Sequence, residues 1–394
     1  MKIFKLGKNV YAAGIVSLFM DISSEMIYPL MPLFLANVLG VNKSLIGLIE
    51  GVAESTASVL KVFSGWFSDK IGRRKGLMLA GYSISTLSRP IIALATGWHH
   101  VLGGRFIDRL GKGIRTAPRD AIIAESTEQK SVGTAFGFHR AMDTIGAVVG
   151  PGLAFFLLTL LHEDYRKVFW IAMVPGVIAV ACIVLFIKEK ARPAEKPGEE
   201  KPKFSLASLN GKFKAFVLIV AIFSLGNSSD VFLILRAQQV GIPAVTIPII
   251  YLTFNLVYSL SAIPAGMASD MFGRKRVIMA GFILFTAVYY GFAVADTKAM
   301  IWVLFGLYGI FMGLTEGVQK AYLATIIPAE FKATAFGIYN MALGVALLPA
   351  SILGGWLWDH VSPAVTFYYG AGTGALSAVM FFVFSIMVGK EKRG

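Results

Sequence analysis

Along this chain, apolar runs long enough to cross a bilayer alternate with short polar connections. Twelve such runs can be marked, at residues 10–36, 44–67, 76–97, 101–124, 132–161, 168–187, 214–238, 246–268, 277–295, 300–326, 333–357 and 364–388. Each has about 20 or more residues, the length a helix needs to span the hydrocarbon core. Little chain is left outside them, so the pattern predicts an all-α integral membrane protein with no room for a catalytic domain. The longest polar interval, 188–213, carries Pro193, Pro197 and Pro202 among alternating charges. It reads as a linker between two halves, 1–187 and 214–394, with a short amphipathic helix expected from Phe204 onward.

The halves repeat one another. GWFSDKIGRRK at 65–75 returns as GMASDMFGRKR at 266–276, each between two apolar runs. Ser23-Ser24-Glu25 in run 1 is matched by Ser228-Ser229-Asp230 in run 7, and Thr134-Ala135-Phe136-Gly137 by Thr334-Ala335-Phe336-Gly337. Two copies of a membrane unit place a ligand site at their interface, near the bilayer midplane.

The two short loops resemble the helix 2 to helix 3 signature of the major facilitator superfamily, with Phe67 and Ala268 at its usual leucine and Met271 at its usual basic residue. The resemblance covers nearly the whole chain. It implies twelve transmembrane helices in two pseudo-symmetric six-helix bundles and transport by alternating access, as in proton-coupled drug or solute antiporters of bacteria and archaea. It implies a cavity lined by helices 1, 4, 7 and 10. It also implies a cytoplasmic gate of Gly65, Asp69, Gly72, Arg73 and Arg74, with a weaker twin at Gly266, Asp270, Gly273 and Arg274. The alternative for these charges is that they only mark topology and anchor headgroups. Arg109 with Gly113 and Ala117 is similar to the family's helix 4 motif, whose arginine is tied to proton transfer; Lys112 replaces its glutamine. Gly146, Gly150 and Pro151 resemble the helix 5 motif of antiporters, the sequence signal for export over uptake.

Composition agrees with the pattern: 56% of residues are hydrophobic, 15% are charged, and the mean hydropathy is +0.69. The net charge of +14 does not imply nucleic acid. Lysine and arginine collect in connections that alternate to one side, which places both termini in the cytoplasm of a cell or inner membrane and makes lipid headgroups the partner. Cys182 is the only cysteine, so no internal disulfide forms. Asp21 and Glu25 interrupt the first run, which does not read as a cleaved signal. No nucleophile–base pair, phosphate loop or metal-ligand cluster is apparent. The expected protein is a monomer without cofactor or metal, powered by a gradient, with a small molecule and protons as its cargo. A channel or receptor with a transporter fold is the alternative class.

Charges inside the runs supply the candidate chemistry. In run 4, Arg105, Asp108, Arg109, Lys112, Arg115 and Arg119 follow at steps of three or four and share one helical sector. Each would cost at least a few kcal/mol against lipid, so this face meets water or acidic partners. The candidate partners are Asp21 and Glu25 in run 1, Asp230 and Arg236 in run 7, and Glu316 and Lys320 in run 10. Glu25 and Asp230 are the leading proton carriers, since desolvation favours the neutral acid and a neighbouring guanidinium the ionised one. Of second rank are Glu50 and Glu54, and His139, Arg140 and Asp143, where Arg140 and Asp143 are spaced to pair with each other. The state of the run 4 cations discriminates between solutes. Cations already neutralised by protein acids leave room for a cationic or amphiphilic solute; unpaired ones favour an organic anion or phosphate ester.

Overall fold

A computed structural model of the chain describes residues 6–71, 74–128, 131–189, 210–327 and 332–390, and nearly all of them are helical. Helix α1 covers Lys8–Ile27 and is prolonged by a tight turn at Tyr28–Leu30, the short piece Met31–Leu33 and a wide turn at Phe34–Val38. Pro29 and Pro32 account for the irregularity, because each removes a backbone donor and crowds the preceding turn. There follow α2 (Lys43–Ile71), α3 (Arg74–Ala93), α4 (Trp98–Glu125), α5 (Val132–Leu160) and α6 (Tyr165–Phe186). Helix α7 is broken into Gly211–Gly226 and Val231–Gln239; α8 (Ile247–Phe272), α9 (Arg274–Val294), α10 (Lys298–Ile326), α11 (Lys332–His360) and α12 (Pro363–Lys390) complete the chain. These match the apolar runs to within a few residues, except that run 7 is not continuous. The amphipathic helix expected from Phe204 falls outside the described residues.

Nine helical spans are long and apolar enough to cross a membrane among the described residues. Helices α2, α3 and α4 are not among them. They carry Glu50 and Glu54, Arg89, and the charged sector of run 4, which wall or brace the interior site described below.

Packing runs chiefly within α1–α6 and within α7–α12. α1 lies on α5 and α6, and α4 on α2 and α3; α10 lies on α8 and α9, and α12 on α7 and α9. Between the sets, α2 runs along α11 and α5 meets α8. The α2–α11 seam is close because glycine removes the obstacle: a Cβ on Gly47 would stand 2.1 Å from the Ser351 carbonyl oxygen, and one on Gly355 2.3 Å from that of Lys43. At its end Asp359 of α11 reaches the first turn of α2, accepting from the Ser44 amide at 2.7 Å, the Ser44 hydroxyl at 2.8 Å and the Lys43 amide at 3.2 Å. Phenylalanines dominate the interior of the second set, with Phe223 stacked on Phe282 at 4.5 Å. Large apolar side chains such as Phe156, Leu185 and Ile263 face outward, as in a protein whose solvent is lipid.

Candidate substrate and proton site

Helix α4 presents its charged sector to two adjoining cavities of about 300 and 360 Å³. Asp21, Glu25 and Lys112 line both, so the two form one polar passage. Its first chamber adds Glu54, Arg105, Asp108, Arg109, Asp230 and three tyrosines, Tyr28, Tyr251 and Tyr308. The second adds Arg115, Arg119, Arg140, Asp143, Tyr258 and Glu316. Period-3.6 placement therefore brought the α4 residues to one face as expected.

The α4 cations are largely neutralised from within. Arg105 grips Glu50 of α2 with two nitrogens, Nε to Oε1 at 2.9 Å and Nη2 to Oε2, and both side chains are buried. Arg109 pairs with Glu54 at 2.6 Å. Asp108 lies between Arg105 and Arg109 at 3.9 and 3.8 Å and pairs most closely with Arg89 of α3 at 2.9 Å. Arg115 donates to Ser85 and covers the Tyr82 ring at 4.5 Å. Arg119 holds Asp120 at 2.9 Å. Glu50 and Glu54 thus belong at the centre of the charge network, above the second rank that spacing gave them. Arg89 was not singled out at all; a lone arginine in apolar run 3 was its available signal.

Three acids of the passage have no such partner. Among the described residues, no cation lies at ion-pair distance from Asp21, Glu25 or Asp230, and Glu25 Oε2 is buried with no hydrogen bond. Asp230 has Tyr308 Oη at 2.7 Å. Lys112 is likewise without a described ion-pair partner. The helix 5 glycines explain why α1 sits where it does. A Cβ on Gly146 would stand 2.8 Å from the Asp21 Cβ, and one on Gly150 2.6 Å from the Glu25 Cβ. The two small residues seat α5 directly behind the two acids, with Pro151 buried beside them.

Other expectations are redirected. Arg140 does not satisfy Asp143. It reaches across to α8, donating to Tyr258 Oη at 2.8 Å, while the Tyr258 hydroxyl donates to Glu316, which also holds Lys320 at 3.1 Å. Asp143 instead faces His139 at 3.4 Å, and His139 bonds Ser17 at 2.7 Å, a buried packing contact. Arg236 is not in the passage. Its guanidinium caps the end of α9, donating to the carbonyls of Phe292, Ala293 and Ala295 at 2.9–3.2 Å, where a cation suits the helix C-terminus.

For the loop residues the record is partial. Gly65 and Asp69 fall in the last turns of α2 with side chains outside the described set, and Gly72 and Arg73 lie outside the described residues. Arg74 pairs with Glu125 at 2.6 Å, and Arg274 with Asp270 at 3.7 Å and with the Ala321 carbonyl at 3.1 Å. These contacts stay within one set of helices. Gly266 has open space around it, and Gly273 takes a positive φ of 93° at the α8–α9 turn, where glycine avoids strain. Outside the membrane spans, Asp164 caps α6 through the Lys167 amide at 3.1 Å, which holds its carboxyl below the usual range.

Known proteins agree with this architecture. The Major Facilitator Superfamily profile matches residues 13–236 and 215–393. An uncharacterized MFS-type transporter of Methanocaldococcus jannaschii is 38% identical over 382 residues, covering 95% of this chain and 94% of that protein. A multidrug resistance protein, MdtL, of Shigella flexneri is 25% identical over 308 residues, 75% of this chain and 74% of its own. The crystal structure of a variant of the nucleoside transporter NupG superposes with a TM-score of 0.80 at 14% identity, over 95% of this chain and 99% of that one. A bacterial homologue of the lysosomal transporter Spinster gives 0.76 at 14% identity, over 95% and 96%. The profile match over most of the sequence and the archaeal relative together establish that this chain belongs to the major facilitator superfamily of membrane transporters.

Proposed function

We propose that the chain is a secondary active transporter that moves a small organic cation across the cell membrane by alternating access, exporting it in exchange for protons. In this reading twelve helices form two six-helix bundles, both termini are cytoplasmic, and the passage at α1, α4, α7 and α10 is the transport site. One observation carries the choice of solute and ion. The acids of α2 and α4 are spent on arginines, whereas Glu25 is left with a buried oxygen and no partner. An uncompensated carboxylate on the wall of a membrane-embedded passage holds a proton or a cationic solute in turn, and that alternation is antiport. Gly146 and Gly150 behind the acids, and the MdtL relative named for multidrug resistance, support export.

The test uses the full chain in proteoliposomes with an imposed pH gradient and ethidium as a fluorescent cation. Glu25→Gln should abolish gradient-driven movement of ethidium while leaving equilibrium binding measurable. Unchanged coupling in that variant would refute the assignment. A second reading, an organic-anion carrier, rests on Lys112, which with Arg115 is an α4 cation without a described ion-pair partner; it predicts that Lys112→Gln abolishes transport of an anionic fluorophore that the wild type carries.

A further inference from the structure

The break in α7 has a use beyond connecting two pieces of helix. Asn227, Ser228 and Ser229 interrupt the helix in mid-element, Asp230 returns to right-handed helical backbone as the next N-cap, and all four line the first chamber. Asp230 occupies the N-cap position of the second piece yet makes no capping bond with its side chain. The carboxylate is turned to the chamber, where Tyr308 Oη holds Oδ1 at 2.7 Å and no described group bonds Oδ2. Tyr28, Tyr251 and Tyr308 line the same chamber and are linked ring to ring: Tyr28 to Tyr251 at 5.3 Å, Tyr251 to Phe254 at 5.4 Å, Phe254 to Tyr308 at 5.3 Å, with the Arg105 guanidinium over the Tyr28 ring at 5.7 Å. Among the described residues, no cation lies at ion-pair distance from Asp230. The gap receives the negative pole of the first helical piece and the positive pole of the second, at whose N-cap Asp230 itself stands, so the helix ends do not choose the sign of a ligand.

A carboxylate with one free oxygen, in a chamber lined by tyrosines, is a recognition set for a substituted ammonium. A planar guanidinium would want two parallel carboxylate oxygens, and Tyr308 has taken one of them. The geometry points to the α7 break as an alkylammonium subsite, with Asp230 as the counter-charge and Tyr251 and Tyr308 as its aromatic lining, separate from a proton site at Glu25. The inference rests on the cation reading above and narrows it to a solute class and a place.

The test is equilibrium binding without any gradient, so it is independent of whether transport is coupled to protons. Calorimetry on the full chain in detergent would compare choline with its neutral isostere dimethylbutanol and the anionic dimethylbutanoate. Choline should bind saturably, and the isosteres at least roughly tenfold more weakly. Asp230→Asn should weaken choline roughly tenfold or more, and Tyr251→Leu several-fold, while Tyr251→Phe, which keeps the ring, stays near wild type. Thermal unfolding of each variant confirms that the comparison is between folded proteins. Equal binding of dimethylbutanol, absence of saturable choline binding, or unchanged affinity in a folded Asp230→Asn protein would overturn the subsite. Loss of pH coupling in Glu25→Gln with choline binding intact would leave it standing. Coupling that survives in Glu25→Gln would sink the antiport reading without touching it.

Discussion

Replacing Glu50 by glutamine tests whether the α4 cations are neutralised by protein acids. Glu50 is 1% exposed and Arg105 4%, and the pair is bidentate, so the substitution removes a charge and keeps the shape. Arg105 cannot shed its proton. It is left with Asp108 at 3.9 Å and Glu54 at 4.0 Å, the latter already committed to Arg109. Stranding one member of a buried pair costs about 3–5 kcal/mol, and the two remaining acids place this case near 3 kcal/mol. Replacing both residues with apolar side chains of similar volume, Glu50→Leu with Arg105→Met, should recover most of the loss, because neither desolvated charge remains. The measurement is unfolding free energy of the purified protein in mixed micelles, with the two single variants and the double variant forming a cycle. A Glu50→Gln protein within about 0.5 kcal/mol of wild type, or a double variant no better than the worse single, would mean that Arg105 is compensated some other way. Glu25 would then no longer stand apart from the acids of α2 and α4.

Three further outcomes follow from the geometry. Gly150→Val should push α5 off Glu25, costing roughly 1–3 kcal/mol in stability and most of the gradient-driven flux, read by thermal unfolding and ethidium movement. Tyr258→Phe removes the hydroxyl joining Arg140 to Glu316; a cysteine placed at Ser259 in the second chamber should then react faster with a water-soluble maleimide, and an unchanged rate would show that the bridge does not restrict access. Asp164→Ala should destabilise by about 1 kcal/mol at neutral pH through loss of the α6 cap. Since that carboxyl titrates lower in the folded protein than in the unfolded chain, the difference should shrink as pH falls through its folded range, as pH-dependent melting would reveal.

Periodicity was sufficient for the helices and for the charged face of α4, because hydrophobic length and a three-to-four step are local properties. Partner choice is not local. Arg140 and Asp143 stand one turn apart, yet the guanidinium is long enough to cross to α8, where Tyr258 and Glu316 offer more. Depth along a helix could be counted for Arg236, but the direction in which it points could not, and it turned to the α9 carbonyls. The α7 break was hidden by its neighbours: Asn227 to Asp230 interrupt a run apolar enough on both sides to hide them in any average. The repeated Ser-Ser-acid triplet was legible, but its two copies differ in setting: Glu25 lies within a continuous helix, whereas Asp230 opens a new one after a break at the two serines.

The contact of Asp359 with α2 has a consequence for how that end of the molecule parts. Of the four opening amides of α2, Asn42 serves those of Leu45 and Ile46 from the same chain segment, while Lys43 and Ser44 rely on a carboxylate carried by α11. Withdrawing α11 would therefore free three donors, two amides and the Ser44 hydroxyl, and one anion at once. These bonds already lie at the exposed surface, so water is at hand to replace each of them as the helices separate, and the contact holds this end shut only weakly.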